Sequence, residues 1–308
     1  MVYLKFAINL LITLVLVLYY IIVEFFKCFC PSKFRMKNIN NKIVLITGAG
    51  HGLGAALAVR FAKHKCRLIL WDINFEGLQK TREECRQYQS ESLIYIYKVD
   101  ITKRKQVLDT ADKIKSEIGF VDILINNAGV VSGKSILELD EASIERTFNV
   151  NVVSHFWTIQ AFLPEMLSRD SGHIVSISSL AGFTGINKLS DYCASKFAAI
   201  GLHESLLCEI NSKQKSNIQI LTVCPFYINT GMFDGITTNC PLLPILDLDF
   251  VVSKVETAIL TNGTILLIPR IAYFMAPLKH ILPTKGFLAL AKLLQINQNM
   301  ETFLGNHR

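Results

Sequence analysis

The chain has 308 residues, of which 51% are hydrophobic and 19% are charged, and its formal net charge is +7. This length fits one large α/β domain or two small ones, and the apolar fraction leaves apolar surface beyond the needs of a core. No nucleic-acid partner is expected. The basic excess clusters at residues 27–42, directly after an apolar run, and no later basic patch is interleaved with aromatic residues.

The eight cysteines form no Cys-x-x-Cys pair and no set with histidine at metal-ligand spacing. We therefore expect no metal site, and a reduced, cytosol-facing domain whose thiols behave as small hydrophobic groups. Cys28 and Cys30 lie beside an apolar run, which makes them candidates for palmitoylation.

The first predicted element is an uncharged apolar run at residues 6–23. Eighteen helical residues span about 27 Å, close to the thickness of the bilayer hydrocarbon. The run ends in bulky residues, which favours an uncleaved membrane anchor at 1–30 over a signal peptide. Basic residues in the linker at 31–41 then leave the rest of the chain in the cytosol. A hairpin or a monotopic insertion would satisfy the same residues.

From Lys42 onward, short β-branched runs alternate with amphipathic stretches such as 106–119. The predicted strands are 43–47, 67–71, 94–98, 122–126, 173–178, 218–223 and 264–268. This alternation predicts an α/β domain at 42–270 with a Rossmann-like doubly wound parallel sheet of about seven strands.

The first predicted strand runs into the sequence TGAGHGLG, which opens a helix. Gly48, Gly52, Leu53 and Gly54 therefore form a candidate phosphate loop, where glycines allow close backbone approach and the helix amino terminus faces a pyrophosphate. Asp72 ends the second strand. A carboxylate there bonds both ribose hydroxyls and repels a 2′-phosphate, so the predicted cofactor is NAD rather than NADP.

Two further strand ends are expected to border the cofactor. Asp100, after the third strand, would lie near the adenine. The sequence NNAG closes the fourth strand, and small or amide residues there can bound the crevice. Its candidate contacts are Asn126, Ala128 and Gly129.

The sequence YCASK places Tyr192 and Lys196 one helical turn apart, so both side chains project from one helix face. A surface pair would look the same. In a catalytic setting, the Lys196 ammonium and a positive nicotinamide would lower the phenol pKa from near 10, and the phenolate could take a proton from an alcohol.

Together, TGAGHGLG, NNAG, Asn151, the Ser178-Ser179 pair and YCASK resemble the short-chain dehydrogenase/reductases over about residues 40–270. The resemblance implies that Ser179, rather than Ser178, hydrogen-bonds the substrate oxygen. It also implies that Asn151, rather than the neighbouring Asn149, holds a water in a proton relay, and that Lys196 bonds the nicotinamide ribose.

The resemblance assigns Pro225 and Thr230 to the cofactor, with one departure. Most members of the family have glycine where this chain has Phe226, which puts backbone approach to the nicotinamide carboxamide in doubt. The stretches LILWDIN, DYCASKFAA and CPFYINTGMFDG are similar to the membrane-bound branch of retinol dehydrogenases and lipid-droplet 17β-hydroxysteroid dehydrogenases.

Apolar residues follow Thr230, and we expect Met232 and Phe233 to contact a lipid alcohol, although core packing would explain them too. The segment 271–308 is also apolar and is interrupted by lysines and two prolines. These features favour an interfacial amphipathic segment over a second membrane span. A buried closing helix, or an oligomer contact such as a homodimer, remains the alternative.

Two functions follow from these patterns. The first is an NAD-dependent dehydrogenase of a lipophilic alcohol, at the membrane of the endoplasmic reticulum or the surface of a lipid droplet. Retinol leads over a steroid or another lipid alcohol. The second is a catalytically idle membrane scaffold that binds dinucleotide or lipid. An idle relative is free to lose Tyr192, Lys196, Ser179 or Asn151, and all four are present, which favours the enzyme.

Overall fold

The computed structural model describes residues 1–296 and 299–304. The chain divides into two compact units, Met1–Asn38 and Ile39–Arg308. The first unit contains helix α1 (Val2–Phe29) and a 3-10 turn at Ser32–Phe34. Within α1, Val2–Lys27 is long and apolar enough to cross a membrane, by a criterion that a signal sequence also meets.

The described part of the second unit contains one seven-stranded parallel sheet and nine α-helices. The strands are β1 (Ile43–Thr47), β2 (Arg67–Asp72), β3 (Ile94–Lys98), β4 (Ile123–Asn126), β5 (Gly172–Ile177), β6 (Ile218–Pro225) and β7 (Ile265–Ile268). The helices are α2 (Gly52–Lys63), α3 (Phe75–Arg86), α4 (Arg104–Glu117), α5 (Glu141–Phe148), α6 (Ser154–Arg169), α7 (Ser190–Ser212), α8 (Leu248–Leu260), α9 (Ala272–Ile281) and α10 (Thr284–Leu293).

The strand order is β3-β2-β1-β4-β5-β6-β7, and every neighbouring pair is parallel. After β3 the chain returns to place β4 beside β1, so the strand order reverses between these two strands. A crevice opens at the carboxyl ends of the strands at such a switch point, which is where ligands bind in open α/β sheets. The predicted Rossmann-like sheet is confirmed, and the predicted strands begin and end within two residues of those observed.

The sheet is buried on both faces because its strands are continuous runs of apolar residues. All five residues of β1 are buried. Val44 and Ile46 belong to the core cluster on one face, whereas Ile43 and Leu45 belong to the cluster on the other. This division follows from the two-residue period of a strand and explains why helices must cover both faces.

The carboxyl-terminal segment lies within the second unit. On α9 and α10, Ala272 and Ala291 are buried in the core, and Met300 beyond them is fully buried. The outer faces of the same helices carry large exposed side chains, including Phe274 and Ile281. The segment thus combines an inner face packed on the core with an outer apolar face. Its assignment as a separate interfacial element stays a prediction.

Candidate active site

The glycines of the phosphate loop are required by close packing at the switch point. Gly48 has a φ of +66°, and a Cβ there would lie 2.8 Å from the Cα of Ala128. A Cβ on Gly54 would lie 2.1 Å from the carbonyl oxygen of Gly48. The loop is therefore folded tightly onto both β4 and the start of α2. Gly52 begins that helix and leaves room towards Thr230.

Asp72 lies at the end of β2 with its carboxylate anchored by the phosphate loop. One oxygen accepts from the Gly50 N–H and the other from the Asn74 N–H, both at 2.8 Å. Asp100, two residues after the end of β3, is also held in place, because its Oδ1 accepts from the N–H and the hydroxyl of Thr102 at 3.0 and 2.7 Å. Both carboxylates line one large cavity.

This cavity has a volume of about 550 Å³ and extends along the carboxyl ends of the strands. The predicted cofactor contacts that line it are Gly48, Gly52, Leu53, Asp72, Asp100, Ala128, Gly129, Tyr192, Lys196, Pro225 and Thr230. Ser179, Met232 and Phe233, predicted to contact substrate, line it as well. The other predicted residues, Gly54, Asn126 and Asn151, lie behind that lining.

The side chain of Asn126, a predicted cofactor contact, lies away from the cavity. Its side chain is 1% exposed, and its Oδ1 accepts from the Thr158 hydroxyl at 2.8 Å, in the core beneath α6. Asn127 lines the cavity instead and donates from Nδ2 to the carbonyls of Thr47 and Gly48, at 2.9 and 3.1 Å. Successive extended residues direct their side chains to opposite sides, so the two asparagines point apart, and the packing of the sheet decides which of them meets the cavity.

Tyr192 and Lys196 share one face of α7, as their spacing predicts. They are 5% and 3% exposed, and the Lys196 Nζ lies 5.4 Å from the centroid of the Tyr192 ring. That ammonium donates to the carbonyl of Ile177 at 3.0 Å, which holds it at the end of β5. Burial lowers the pKa of Lys196 to about 8.

The surroundings of Tyr192 differ from the expectation of a lowered pKa. Burial raises the pKa of the phenol above its usual 10, and a hydrogen bond with Ser179 lowers it only in part. The cost of desolvating a phenolate outweighs that bond. A phenolate near neutral pH therefore requires positive charge close to the ring.

The two adjacent serines differ in their hydrogen bonds, and Ser179 is the one whose hydroxyl lies beside Tyr192 in the cavity. The Ser178 hydroxyl donates to the Lys196 carbonyl at 3.1 Å and so fixes α7 to the end of β5. The Ser179 hydroxyl accepts from the Ala181 N–H at 3.1 Å and has a longer contact, 3.4 Å, to the Pro225 carbonyl. Ser179 also interacts with Tyr192, so two hydroxyls converge on one point of the cavity.

Asn151 is fully buried in a π-helical turn at Asn149–Val153, whereas Asn149 is exposed. Its side chain bonds both backbone groups of Val130, at 2.8 and 3.0 Å, and donates to the Ser195 hydroxyl at 3.0 Å. Asn151 thus ties the loop after β4 to α7. A Cβ on Gly129 would lie 3.5 Å from the Asn151 Oδ1 and 3.6 Å from the Lys196 Nζ, so this glycine separates the two side chains.

Aromatic rings form the substrate end of the cavity. Phe233 packs edge to face on Tyr192, with centroids 5.8 Å apart, and Tyr227 lies between Phe233 and Phe226 at 4.9 and 4.5 Å. Phe226 also donates from its N–H to the Ile268 carbonyl at 2.8 Å, which keeps its backbone extended alongside β7. Its ring is buried at the position where glycine is usual.

Phe303 and Leu304 cover this aromatic cluster, a feature that motif spacing did not predict. The Phe303 ring lies 6.4 Å from that of Phe233, and the Leu304 N–H donates to the Asp234 carbonyl at 3.1 Å. A Cβ on Gly133, where φ is +68°, would lie 2.0 Å from the Phe303 ring. Gly235, where φ is +84°, makes a similar close approach, because a Cβ there would lie 2.4 Å from the Thr302 carbonyl oxygen.

The crevice at the switch point, the glycine loop and the Tyr-Lys-Ser set are features of a dinucleotide-dependent oxidoreductase. The chain belongs to the short-chain dehydrogenase family, whose profile, described as short chain dehydrogenase, matches residues 42–241. The family resemblance predicted from the motifs is confirmed.

Among its relatives, epidermal retinol dehydrogenase 2 from Homo sapiens is 46% identical over 269 residues, with 87% of each chain covered. Estradiol 17-beta-dehydrogenase 11 from Homo sapiens is 40% identical over 288 residues, with 94% of each covered. The crystal structure of a short chain dehydrogenase/reductase from Burkholderia phymatum in complex with NAD matches with a TM-score of 0.72 at 25% identity. This match covers 85% of this chain and 98% of the other.

Proposed function

We propose that the protein oxidises a lipophilic alcohol with NAD as the hydride acceptor, and that all-trans-retinol is the leading substrate. The observation that carries the proposal is the convergence of Tyr192, Lys196 and Ser179 on a cavity whose substrate end is walled by aromatic rings. The likeness to a retinol dehydrogenase supports retinol. The likeness to an estradiol dehydrogenase supports a 17β-hydroxysteroid as the second candidate.

The residues present fit a dinucleotide. A Cβ on Gly48 or Gly54 would collide with Ala128 or with the Gly48 carbonyl, so these glycines allow the tight turn of the loop, and the amino terminus of α2 at Gly52 directs free N–H groups towards the cavity. At the other end Asp72, 7% exposed and held by two backbone N–H groups, presents a fixed carboxylate where the adenosine ribose would lie. This carboxylate supports the choice of NAD.

The reacting oxygen of the alcohol would lie between the hydroxyls of Ser179 and Tyr192, which orient it and share its hydrogen bonds. NAD⁺, when bound, accepts the hydride and brings a positive charge to the site. Tyr192 takes the hydroxyl proton. Because burial raises its pKa, Tyr192 depends on nearby positive charge to act as a base.

Lys196 supplies part of that charge. Its pKa of about 8 keeps the amine mainly protonated at neutral pH, and its bond to the Ile177 carbonyl holds it beside the phenol. Asn151 fixes the loop at residues 129–130 next to the ammonium. We assign to the space between Lys196 and this loop the water through which the proton leaves.

The cavity wall favours a hydrocarbon substrate over a sugar or an organic acid. Phe226, Phe233 and Met232 present apolar surface near the reacting hydroxyls. Such a wall gains free energy by removing apolar surface from water, and it leaves the polar groups of a sugar without partners.

We further propose that α1 anchors the protein to the endoplasmic reticulum membrane or a lipid droplet, with the catalytic domain in the cytosol. Its support is the apolar helix at Val2–Lys27 and the basic residues that follow it. This placement gives the site access to a substrate dissolved in membrane or neutral lipid.

The test is turnover by membranes from cells that produce the chain, with retinol, estradiol and fatty alcohols offered separately with NAD. We expect NADH formation with at least one lipid alcohol and a loss of about 10²–10⁴-fold in the Tyr192→Phe protein. Binding of NAD without turnover of any alcohol would establish the idle scaffold instead. Near-normal turnover by a folded Tyr192→Phe protein would refute the mechanism.

A further inference from the structure

A second, smaller cavity of about 50 Å³ lies beneath α9 and α10. Its walls come from the turn after β5, the loop before α8, and the two carboxyl-terminal helices. The side chains that line only this cavity are mainly apolar and include Phe183, Leu243, Met275, Ala276, Phe287 and Ile296.

This cavity adjoins the candidate active site. Leu180, Ile186 and Phe226 line both cavities, so they form the partition between them. Leu180 directly follows Ser179, and Phe226 directly follows Pro225, whose carbonyl is contacted by the Ser179 hydroxyl. The partition therefore lies immediately behind the group that would hold the reacting oxygen, and it consists of hydrocarbon side chains.

The chemistry of the lining selects for hydrocarbon. Among the described residues that line it, the one charged residue, Lys279, directs its ammonium onto the Phe197 ring, with Nζ 4.4 Å from the centroid, so that the methylene stem borders the cavity. The one hydroxyl among the same described residues, on Thr184, contacts the neighbouring Gly185 carbonyl at 3.4 Å. A polar occupant would leave its own groups without partners, whereas an alkyl chain would not.

We propose that this pocket receives the hydrocarbon end of the alcohol, so that the enzyme selects long lipid alcohols by the chain beyond the carbinol. The inference rests on the proposed function, because it takes the carbinol to lie at Ser179 and Tyr192. Each methylene that leaves water for such a pocket raises kcat/KM by about fourfold, up to the volume of the pocket.

The test fills the pocket from α9. Ala276→Leu adds three carbons at a residue that lines it, and Ala289→Leu makes the same change at an exposed position of α10 as a matched control. A homologous series of straight-chain alcohols is offered with NAD. Binding of the same alcohols is measured separately by the thermal stabilisation of purified protein.

We expect the unaltered and Ala289→Leu proteins to gain at least tenfold in kcat/KM, and to gain in stabilisation, as the chain lengthens. Ala276→Leu should oxidise the shortest alcohols with the kcat/KM of the unaltered protein, and it should lose most of the increase in kcat/KM and in stabilisation with chain length. Met275→Ala enlarges the pocket and should shift the optimal chain length to longer alcohols. This opposite shift keeps the inference testable if Ala276→Leu fails to fold.

Retention of the full chain-length gain by Ala276→Leu, or an equal loss at every length, would overturn the inference. Absence of turnover in all proteins, with chain-dependent stabilisation still lost in Ala276→Leu, would support the pocket while rejecting the proposed activity. The binding and turnover measurements therefore separate the two proposals.

Discussion

Replacement of Asp72 by Asn should weaken the preference for NAD over NADP, because it removes the negative charge that faces the adenosine ribose. Two charges about 5 Å apart at an effective dielectric of about 20 repel by about 3 kcal/mol. The cavity is open to solvent and salt screens part of this repulsion. We therefore expect the unaltered protein to prefer NAD by at least about tenfold in kcat/KM, and the variant to lose most of that preference.

The quantity to measure is the ratio of kcat/KM with NAD to kcat/KM with NADP, because the substitution also affects activity with either cofactor. The Asp72 carboxylate accepts from the N–H groups of Gly50 and Asn74, both at 2.8 Å. Asn keeps one acceptor oxygen, and an orphaned buried N–H costs about 1–3 kcal/mol. The lost hydrogen bond weakens the loop equally for both nucleotides, so its effect cancels in the ratio of kcat/KM with NAD to kcat/KM with NADP.

The assay is steady-state oxidation of one lipid alcohol with NAD and with NADP. Asp100→Asn is the matched control. This carboxylate lines the same cavity, but it is expected near the adenine and away from the ribose that carries the 2′-phosphate of NADP. Its cofactor ratio should stay close to that of the unaltered protein. Equal use of NAD and NADP by the unaltered protein, or an unchanged ratio in Asp72→Asn, would refute the assignment.

Three further predictions concern the base, a buried histidine and the anchor. Tyr192→Phe and Lys196→Ala should each lower kcat by at least about 10²-fold, and the double variant should lose much less than the product of both, since they act as one proton-transfer unit; fully multiplicative losses would contradict this. Burial lowers the pKa of His203 to about 4 from its usual 6.5. Its contribution to stability is therefore complete above about pH 6.5 and is lost towards pH 4, by up to ~3 kcal/mol. In urea unfolding across this range, the free energy of unfolding should depend less steeply on pH in His203→Asn than in the unaltered protein. An identical slope would show that His203 does not cause the loss of stability in acid. Deletion of residues 1–30 should weaken the attachment of the protein to membranes. The catalytic domain of the full chain should be open to protease in sealed microsomes, and protection there would reverse the proposed topology.

Local sequence was sufficient for the sheet and for the Tyr-Lys pair. Residues 43–46 are apolar at every position because both faces of the strand are covered, and that run is visible in the sequence without any partner. Tyr192 and Lys196 share a face because helical geometry alone brings residues i and i+4 together. The phosphate loop at 48–54 is likewise a continuous stretch, whose required context is the strand before it and the helix after it.

Contacts between distant parts of the chain were decided only by the tertiary structure. The choice between Asn126 and Asn127 depends on which face of β4 meets the cavity. The Phe303 ring reaches Gly133 across 170 residues, and no periodicity couples such positions. The pKa of Tyr192 is also a tertiary property, because burial by surrounding elements determines it, whereas the sequence displays only the lysine one turn away.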